Sequence, residues 1–336
     1  MINNNVLIIA EVGQAHDGSL GILHSYIDAL KDTGVDAIKF QTHISEAESS
    51  TYEKFRVEFS YEDKSRSDYW KRMEFTLEQW EGIKKHCEEV DLEFISSPFS
   101  NMSVDLLEKV GVRRYKIGSG DIGNLLLLEK VSKTGKEIIL STGMSNFNEI
   151  DTAINFIRQF GNKVSILQCT TKYPTMAEDI GLNVIGELKN RCNVPVGLSD
   201  HSGNIYSLLA AVSMGAEIIE FHVVFDKKMF GPDSTSSLTI SEVKKLVEGV
   251  RFIEKSLINK INKNDNNVFD SVKNIFGKSI CINKDKKHGD IINFDDLDAK
   301  KPCGYGISAK HYRKVIGKKI LESKKKWDFL NEGDYE

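Results

Sequence analysis

Two histidines are the residues of this sequence whose spacing most directly indicates metal chemistry. His201 comes shortly after the apolar segment Val196–Ser199, and His222 follows the segment Ile218–Phe221. If these segments are neighbouring strands, the two imidazoles lie a few ångströms apart and can share a divalent metal, since neutral histidine is a common protein ligand. A single histidine is more often structural, but the pair favours a metal with open positions for water or substrate.

Lysines and hydroxyl groups occupy comparable positions at the ends of other apolar segments. Lys39 and Lys116 are the two lysines, and the hydroxyls belong to Ser97, Ser119, Ser141, Thr171 and Ser199. Ammonium groups beside hydroxyls bind phosphate, or phosphate together with a carboxylate. An anion site next to a histidine-bound metal therefore indicates phosphoenolpyruvate or a sugar phosphate as substrate.

The elements that must position these residues are eight short apolar segments, which alternate with longer amphipathic stretches. Nearly continuous apolar segments suit a parallel sheet that is buried on both faces. Eight strand–helix units in about 250 residues predict a (β/α)8 TIM barrel, which carries its chemistry at the carboxyl ends of its strands. A doubly wound open sheet is the alternative, but no glycine-rich dinucleotide motif follows the first strand. The predicted strands are Val6–Ala10, Ala37–Phe40, Phe94–Ser97, Tyr115–Gly118, Ile138–Ser141, Val164–Cys169, Val196–Ser199 and Ile218–Phe221.

Composition shifts along the chain predict two domains. Residues 1–257 form the barrel, the polar Asn- and Lys-rich residues 258–270 form a linker, and residues 271–336 form a small β-rich domain with many turns. One connection, Thr42–Thr76, is unusually long for a compact domain. Because it leaves the end of the second strand and carries interleaved aromatic residues, we expect an active-site loop rather than a surface insertion.

Charge and cysteine content exclude several function classes. The 336 residues include 45 Lys and Arg against 49 Asp and Glu, a net charge of -4, which gives no general reason to bind nucleic acid or an anionic membrane. No apolar run approaches the roughly 20 residues of a membrane span. The five cysteines form no CxxC pair, so we expect reduced thiols in a cytoplasmic protein.

Nine segments, in order from residue 8 to residue 308, resemble the N-acetylneuraminate (sialic acid) synthase family, which includes legionaminic and pseudaminic acid synthases. The segments are IIAEVGQAHDGSLG, DAIKFQTH, SSPF, YKIGSGD, ILSTGMS, CTTKYPT, VGLSDHS, EFHVVFDKKMFGPDS and KKPCGYGIS. Each motif is weak alone, and the ordered series is specific.

The resemblance implies a TIM barrel followed by an antifreeze-like (SAF) domain. Family members are transferases that condense phosphoenolpyruvate with the open-chain aldehyde of an N-acetylated sugar and release phosphate. They require a divalent metal, commonly Mn²⁺, and the sequence is equally compatible with Mg²⁺ or Co²⁺. In the family the small domain covers the active site of a second subunit, so the resemblance also implies a domain-swapped homodimer.

The resemblance assigns roles to residues of this chain. Glu11, Lys116 and His222 would be catalytic, with Glu11 as an acid/base, and His201 and His222 would hold the metal. The residues that would bind phosphoenolpyruvate are Lys39, Ser97, Lys116, Ser119, Ser141, Thr171 and Ser199. Those that would contact the acceptor sugar are Gln41, Tyr173, Glu220, Asp233 and Lys301.

Lys301 departs from the family pattern, because the motif normally begins Arg-Pro and a lysine lacks the planar fork of arginine. Two other functions stay open. One is a different metal-dependent phosphoenolpyruvate condensation or an aldolase, and the other is a catalytically inactive sugar-binding relative. The sequence does not choose between N-acetylmannosamine and a diacetamido-trideoxyhexose as acceptor.

Overall fold

The computed structural model describes residues 5–57, 59, 61–265 and 267–336. The chain divides into two compact units, residues 1–259 and residues 260–336. None of the helices within the described ranges is long and apolar enough to cross a membrane.

Eight parallel strands of the first unit form a closed barrel. Each strand pairs with the next along the chain, and the last pairs with the first, with His222 opposite Glu11. The predicted TIM barrel is therefore confirmed. The strands are β1 (Leu7–Glu11), β2 (Ala37–Thr42), β3 (Glu93–Pro98), β4 (Arg114–Ile117), β5 (Glu137–Ser141), β6 (Val164–Cys169), β7 (Val196–Asp200) and β8 (Ile218–Val224); the two-residue β9 (Leu238–Thr239) pairs with β8.

Helices connect the strands, and side-chain caps fix where several of them begin. Thr76 and Gln79 form a reciprocal capping box at one start, and Asn146 and Glu149 form another. The helices are α1 (Leu20–Leu30), α2 (Ser45–Glu48), α3 (Arg66–Met73), α4 (Leu77–Glu89), α5 (Asn101–Val110), α6 (Leu125–Ser132), α7 (Phe147–Arg158), α8 (Leu182–Cys192), α9 (Tyr206–Ser213) and α10 (Ile240–Ile258). Two of these, α2 and α3, lie inside the segment that the sequence indicated as a loop.

Alternation along the strands separates the core from the site. One face of each strand packs against the helices, and the other closes the barrel interior with a buried apolar layer of Ile9, Ala37, Ile95, Ile139, Leu167 and Ile218. Two residues further along the same strands, the inward positions carry Glu11, Lys39, Ser97, Ser141, Cys169 and Glu220. The apolar layer therefore closes the barrel interior directly below the polar residues.

The second unit has its own small core. Strands β10 (Ser279–Ile282) and β11 (Leu297–Lys300) pair antiparallel, and the helix α11 (Asp270–Phe276) precedes them. The buried core consists of Ile280, Ile282, Ile292, Ile307, Val315, Ile320 and Leu330. A small β domain is therefore present at the carboxyl end of the chain.

Substitution of Gly197 on β7 tests how closely the barrel strands pack. A Cβ atom at this position would run into the carbonyl oxygen of Ile218 and lie 2.7 Å from a methyl group of Leu167. We expect Gly197→Ala to lower the free energy of unfolding by about 1–3 kcal/mol, as overpacking does. Urea unfolding measures the change.

Gly186 is the matched control for this prediction, because it lies within α8 and a Cβ there meets no atom within 4 Å. We expect Gly186→Ala to stabilise the protein by up to about 1 kcal/mol, the difference in helix propensity between glycine and alanine. Equal effects of the two substitutions would contradict the packing described for β7.

Candidate active site

A cavity of about 280 Å³ opens at the carboxyl ends of the barrel strands. The predicted site residues of the first unit all line it: Glu11, Lys39, Gln41, Ser97, Lys116, Ser119, Ser141, Thr171, Tyr173, Ser199, His201, Glu220, His222 and Asp233. The remaining predicted residue, Lys301, belongs to the second unit, where its ammonium lies 4.7 Å from the ring centroid of Phe276.

Alternating buried charges form the base of the cavity. Lys39 Nζ lies 2.5 Å from Glu11 Oε1 and 3.8 Å from Glu220 Oε2, and Lys116 Nζ lies 2.9 Å from Glu220 Oε1. Ser199 donates a hydrogen bond to the same Glu220 oxygen. Each of these charged side chains is at most 4% exposed, so each depends on its partners for compensation.

Pairing keeps Glu11 and Lys116 charged despite their burial. Burial alone favours the neutral acid at Glu11, yet the charges of Lys39, His222 and Lys116 hold the pKa of Glu11 well below its usual range. Burial likewise disfavours the ammonium of Lys116, and Glu220 and Glu11 overcome this and raise its pKa. The cavity therefore presents fixed positive and negative charges at neutral pH.

His201 and His222 stand side by side above this base, with ring centroids 5.4 Å apart. Nδ1 of His201 lies 3.1 Å from the carbonyl oxygen of Thr170, so a hydrogen on Nδ1 leaves Nε2 with a lone pair. Burial, with a smaller contribution from His222, lowers the pKa of His201 to about 3, which keeps the ring neutral. Nε2 of His222 lies 3.3 Å from Glu11 Oε2.

This pair of imidazoles fits a catalytic rather than a structural metal site. Among the described residues, no group of three or more His, Cys, Asp or Glu side chains is arranged to hold a metal ion. A metal held by His201 and His222 would have two protein nitrogens as ligands and otherwise exchangeable positions.

Hydroxyl groups without partners face the same cavity. The hydroxyl oxygens of Ser141 and Thr171 are buried and form no hydrogen bond to any described residue. Ser119 Oγ accepts a hydrogen bond from the backbone N–H of Gly143, where a Cβ would collide with the hydroxyls of Thr171 and Ser119. Buried polar atoms normally have hydrogen-bond partners, so the hydroxyls of Ser141 and Thr171 can donate to a bound acceptor such as an oxyanion.

The rim of the cavity is aromatic and basic. Tyr173 stacks on His201 with ring centroids 4.1 Å apart. The guanidinium of Arg56 lies 4.1 Å from the centroid of Tyr173, and its Nη2 donates to Asp233 Oδ1 over 2.8 Å. Arg66 and Trp70 also line the cavity. Arg56, Arg66 and Trp70 all come from the connection between β2 and α4, so this long connection contributes to the wall of the cavity. Its role as an active-site loop stays a prediction.

Arg56, Arg66, Trp70 and Cys169 line the cavity without having been predicted as site residues. Cys169 is the last residue of β6, so its strand-end position was the signal that could have found it. For the other three, the interleaved aromatic residues pointed to the loop but not to the side chains that enter the site.

Comparison with known proteins agrees with this geometry. The protein-family model described as the NeuB family matches residues 26–262 of this chain. The chain belongs to this family. N,N'-diacetyllegionaminic acid synthase of Campylobacter jejuni is 36% identical over 332 residues, covering 97% of this chain and 99% of that protein. Human N-acetylneuraminate-9-phosphate synthase is 30% identical, covering 97% and 91%.

A solved structure supports the same assignment. N-acetylneuraminic acid (sialic acid) synthetase from Leptospira borgpetersenii, in complex with citrate, has a TM-score of 0.71 and 33% identity, covering 80% of this chain and 90% of that chain. The resemblance to the sialic acid synthase family is therefore confirmed, and the names of the relatives support a nonulosonic acid synthase. The roles of individual side chains stay predictions.

Removal of the Glu220 carboxylate tests the network of buried charges at the bottom of the cavity. We expect Glu220→Ala to lower the free energy of unfolding by about 3–5 kcal/mol, because it leaves two buried ammonium groups short of their partner. The control is Glu129→Ala, which removes an exposed partner of Lys133 and changes stability by about 0.5 kcal/mol or less. Chemical denaturation measures both, and losses of equal size would contradict the network.

Proposed function

We propose that this chain is a nonulosonic acid synthase that condenses phosphoenolpyruvate with the open-chain aldehyde of an N-acetylated amino sugar and releases phosphate. The observation that carries the proposal is the meeting of two buried ammonium groups, unpartnered hydroxyls and a pair of imidazoles in one cavity. The relatives named above are synthases of N,N'-diacetyllegionaminic acid and of N-acetylneuraminate 9-phosphate.

Phosphoenolpyruvate carries a phosphate and a carboxylate, and the site offers matching groups. In this proposal the ammonium groups of Lys39 and Lys116, at the bottom of the cavity, bind the phosphoenolpyruvate anion. The hydroxyls of Ser141 and Thr171 donate hydrogen bonds to its phosphate oxygens. Ser97, Ser119 and Ser199 complete the binding set. Because the lysines are already fixed by Glu11 and Glu220, little reorganisation is needed when the substrate binds.

His201 and His222 are the residues that would hold the divalent metal, with Mn²⁺ expected and Mg²⁺ or Co²⁺ as alternatives. When bound, such a metal supplies Lewis acidity that polarises the aldehyde oxygen of the acceptor sugar. The stack of Tyr173 on His201 restricts that imidazole to one orientation.

The chain's own residues position the bond-forming step. The lysines place C3 of phosphoenolpyruvate against the aldehyde carbon. The new carbon–carbon bond forms there, the aldehyde oxygen takes up a proton from solvent, and C2 is left as a cationic centre. Water then adds at C2, and Glu11 is the carboxylate placed to take its proton. The tetrahedral intermediate loses phosphate and leaves the keto acid.

Gln41, Tyr173, Glu220 and Asp233 contact the acceptor sugar in this proposal. The predicted homodimer, in which Lys301 contacts the sugar bound by the other subunit, stays a prediction, as does the cytoplasmic location.

Product analysis tests the function. Purified protein is incubated with Mn²⁺, phosphoenolpyruvate and either N-acetylmannosamine or a diacetamido-trideoxyhexose. Released phosphate is assayed, and the product masses are determined by mass spectrometry. We expect phosphate release and a product whose mass is the sum of sugar and pyruvic acid. A parallel incubation replaces these sugars with a pentose phosphate. Phosphate release only in that incubation would indicate another phosphoenolpyruvate condensation, and sugar binding without turnover would indicate an inactive relative.

Lys116 tests the anion site. We expect Lys116→Met to raise the KM for phosphoenolpyruvate at least about tenfold, because a buried charge-assisted contact is lost. Lys133→Met removes an exposed lysine and is expected to leave both KM values unchanged. Steady-state phosphate release measures them, and an unchanged KM in the Lys116 variant would contradict the assignment.

His222 tests the metal site. We expect His222→Ala to abolish turnover and to weaken Mn²⁺ binding by roughly 100-fold or more, since it removes a direct ligand. Electron paramagnetic resonance measures bound Mn²⁺, and circular dichroism confirms that the variant folds. Mn²⁺ binding as tight as in the wild type would refute the ligand assignment.

A further inference from the structure

His43 is a buried histidine close to the site that does not line the cavity. It follows β2, and its side chain is 1% exposed. The ring lies between two aromatic rings, with centroids 3.9 Å from that of Trp70 and 4.7 Å from that of Phe99. Both ring nitrogens have partners: Nδ1 lies 2.7 Å from Glu48 Oε1, and Nε2 lies 3.1 Å from Gln41 Oε1.

Gln41 links His43 to the base of the cavity. Its Nε2 lies 2.8 Å from Glu11 Oε1, the same oxygen that Lys39 contacts. Its Oε1 lies 2.5 Å from Gln14 Nε2. A continuous series of contacts therefore runs from Glu48 through His43 and Gln41 to Glu11.

The contact between Lys39 and Glu11 fixes the direction of the hydrogen bonds that Gln41 makes. An ammonium can only donate, so Glu11 Oε1 is an acceptor, and Gln41 must turn its NH₂ group toward it. The carbonyl oxygen of Gln41 then faces His43, so Nε2 of His43 must carry a hydrogen and donate it.

This arrangement fixes what Gln41 offers to a substrate. Its oxygen accepts from both Gln14 and His43, which occupies its two lone pairs. One N–H goes to Glu11, which leaves the second for a ligand. Gln41 therefore meets an acceptor sugar as a hydrogen-bond donor, and the matching sugar atom is an oxygen that accepts, such as an amide carbonyl or a hydroxyl oxygen.

We propose that His43 is a positioning residue that holds the amide of Gln41 with its N–H groups toward Glu11 and the acceptor sugar. The proposal rests on the proposed function. Glu48 and the two aromatic rings hold the imidazole itself, so His43 cannot turn away when Gln41 engages a ligand.

His43→Phe separates positioning from packing, because phenylalanine keeps a ring between Trp70 and Phe99 but has no N–H for Gln41. We expect kcat/KM for the acceptor sugar to fall at least about tenfold, the loss of one oriented polar contact, while the KM for phosphoenolpyruvate changes less than about twofold. His24→Phe, a substitution on α1 of a histidine that does not line the cavity, is the control and is expected to change neither. Wild-type kinetics in His43→Phe, or equal losses for both substrates, would overturn the proposal.

A double-mutant cycle tests whether His43 acts through Gln41. In a Gln41→Met background, we expect His43→Phe to change kcat/KM for the acceptor less than about twofold, since the group that it orients is already gone. The same fold loss in both backgrounds would show that His43 acts through packing alone, and would overturn the proposal.

A measurement without turnover separates this proposal from the proposed function. In full-length protein labelled with ¹⁵N-histidine, we expect a slowly exchanging Nε2–H signal that disappears in His43→Phe and shifts in Gln41→Met. An unprotonated Nε2 overturns the amide orientation whatever the enzyme catalyses. The expected signal in a protein that releases no phosphate supports the orientation and counts against the proposed function.

Discussion

The pairing of buried charges at the barrel mouth is the constraint on which the rest of the site depends. Lys39 and Lys116 are desolvated, and such ammonium groups persist only beside fixed carboxylates. Glu11 and Glu220 provide these, and in the proposed function they would also fix where the anionic substrate lies. The network is thus both a stability requirement and the source of preorganisation for the proposed reaction.

The barrel satisfies this constraint through strand alternation. An apolar layer that includes Ile9 and Leu167 closes the interior, and the next inward position on the same strands carries the polar groups. Closure of the sheet brings β8 beside β1, so that His222 comes opposite Glu11. Residues more than 200 positions apart in the chain therefore become neighbours through backbone register, without any local motif.

The sequence was sufficient for those parts of the structure that periodicity controls. The eight strands and the strand-end residues could be predicted because parallel strands present their carboxyl ends at one face. Helix α3 was missed because it lies within a long, mostly polar connection whose composition indicated a loop. Arg56 and His43 could not be placed, since their contacts depend on the path of a long loop and on tertiary stacking rather than on spacing.

The central claim is that the buried lysines and the unpartnered hydroxyls together form the phosphoenolpyruvate site. A crystal structure of the protein with phosphoenolpyruvate tests this most directly. We expect the phosphate within hydrogen-bond distance of the Ser141 and Thr171 hydroxyls, with the ammonium groups of Lys39 and Lys116 in contact with the anion. A phosphoenolpyruvate molecule bound in the cavity away from both lysines, or bound outside the barrel mouth, would contradict it.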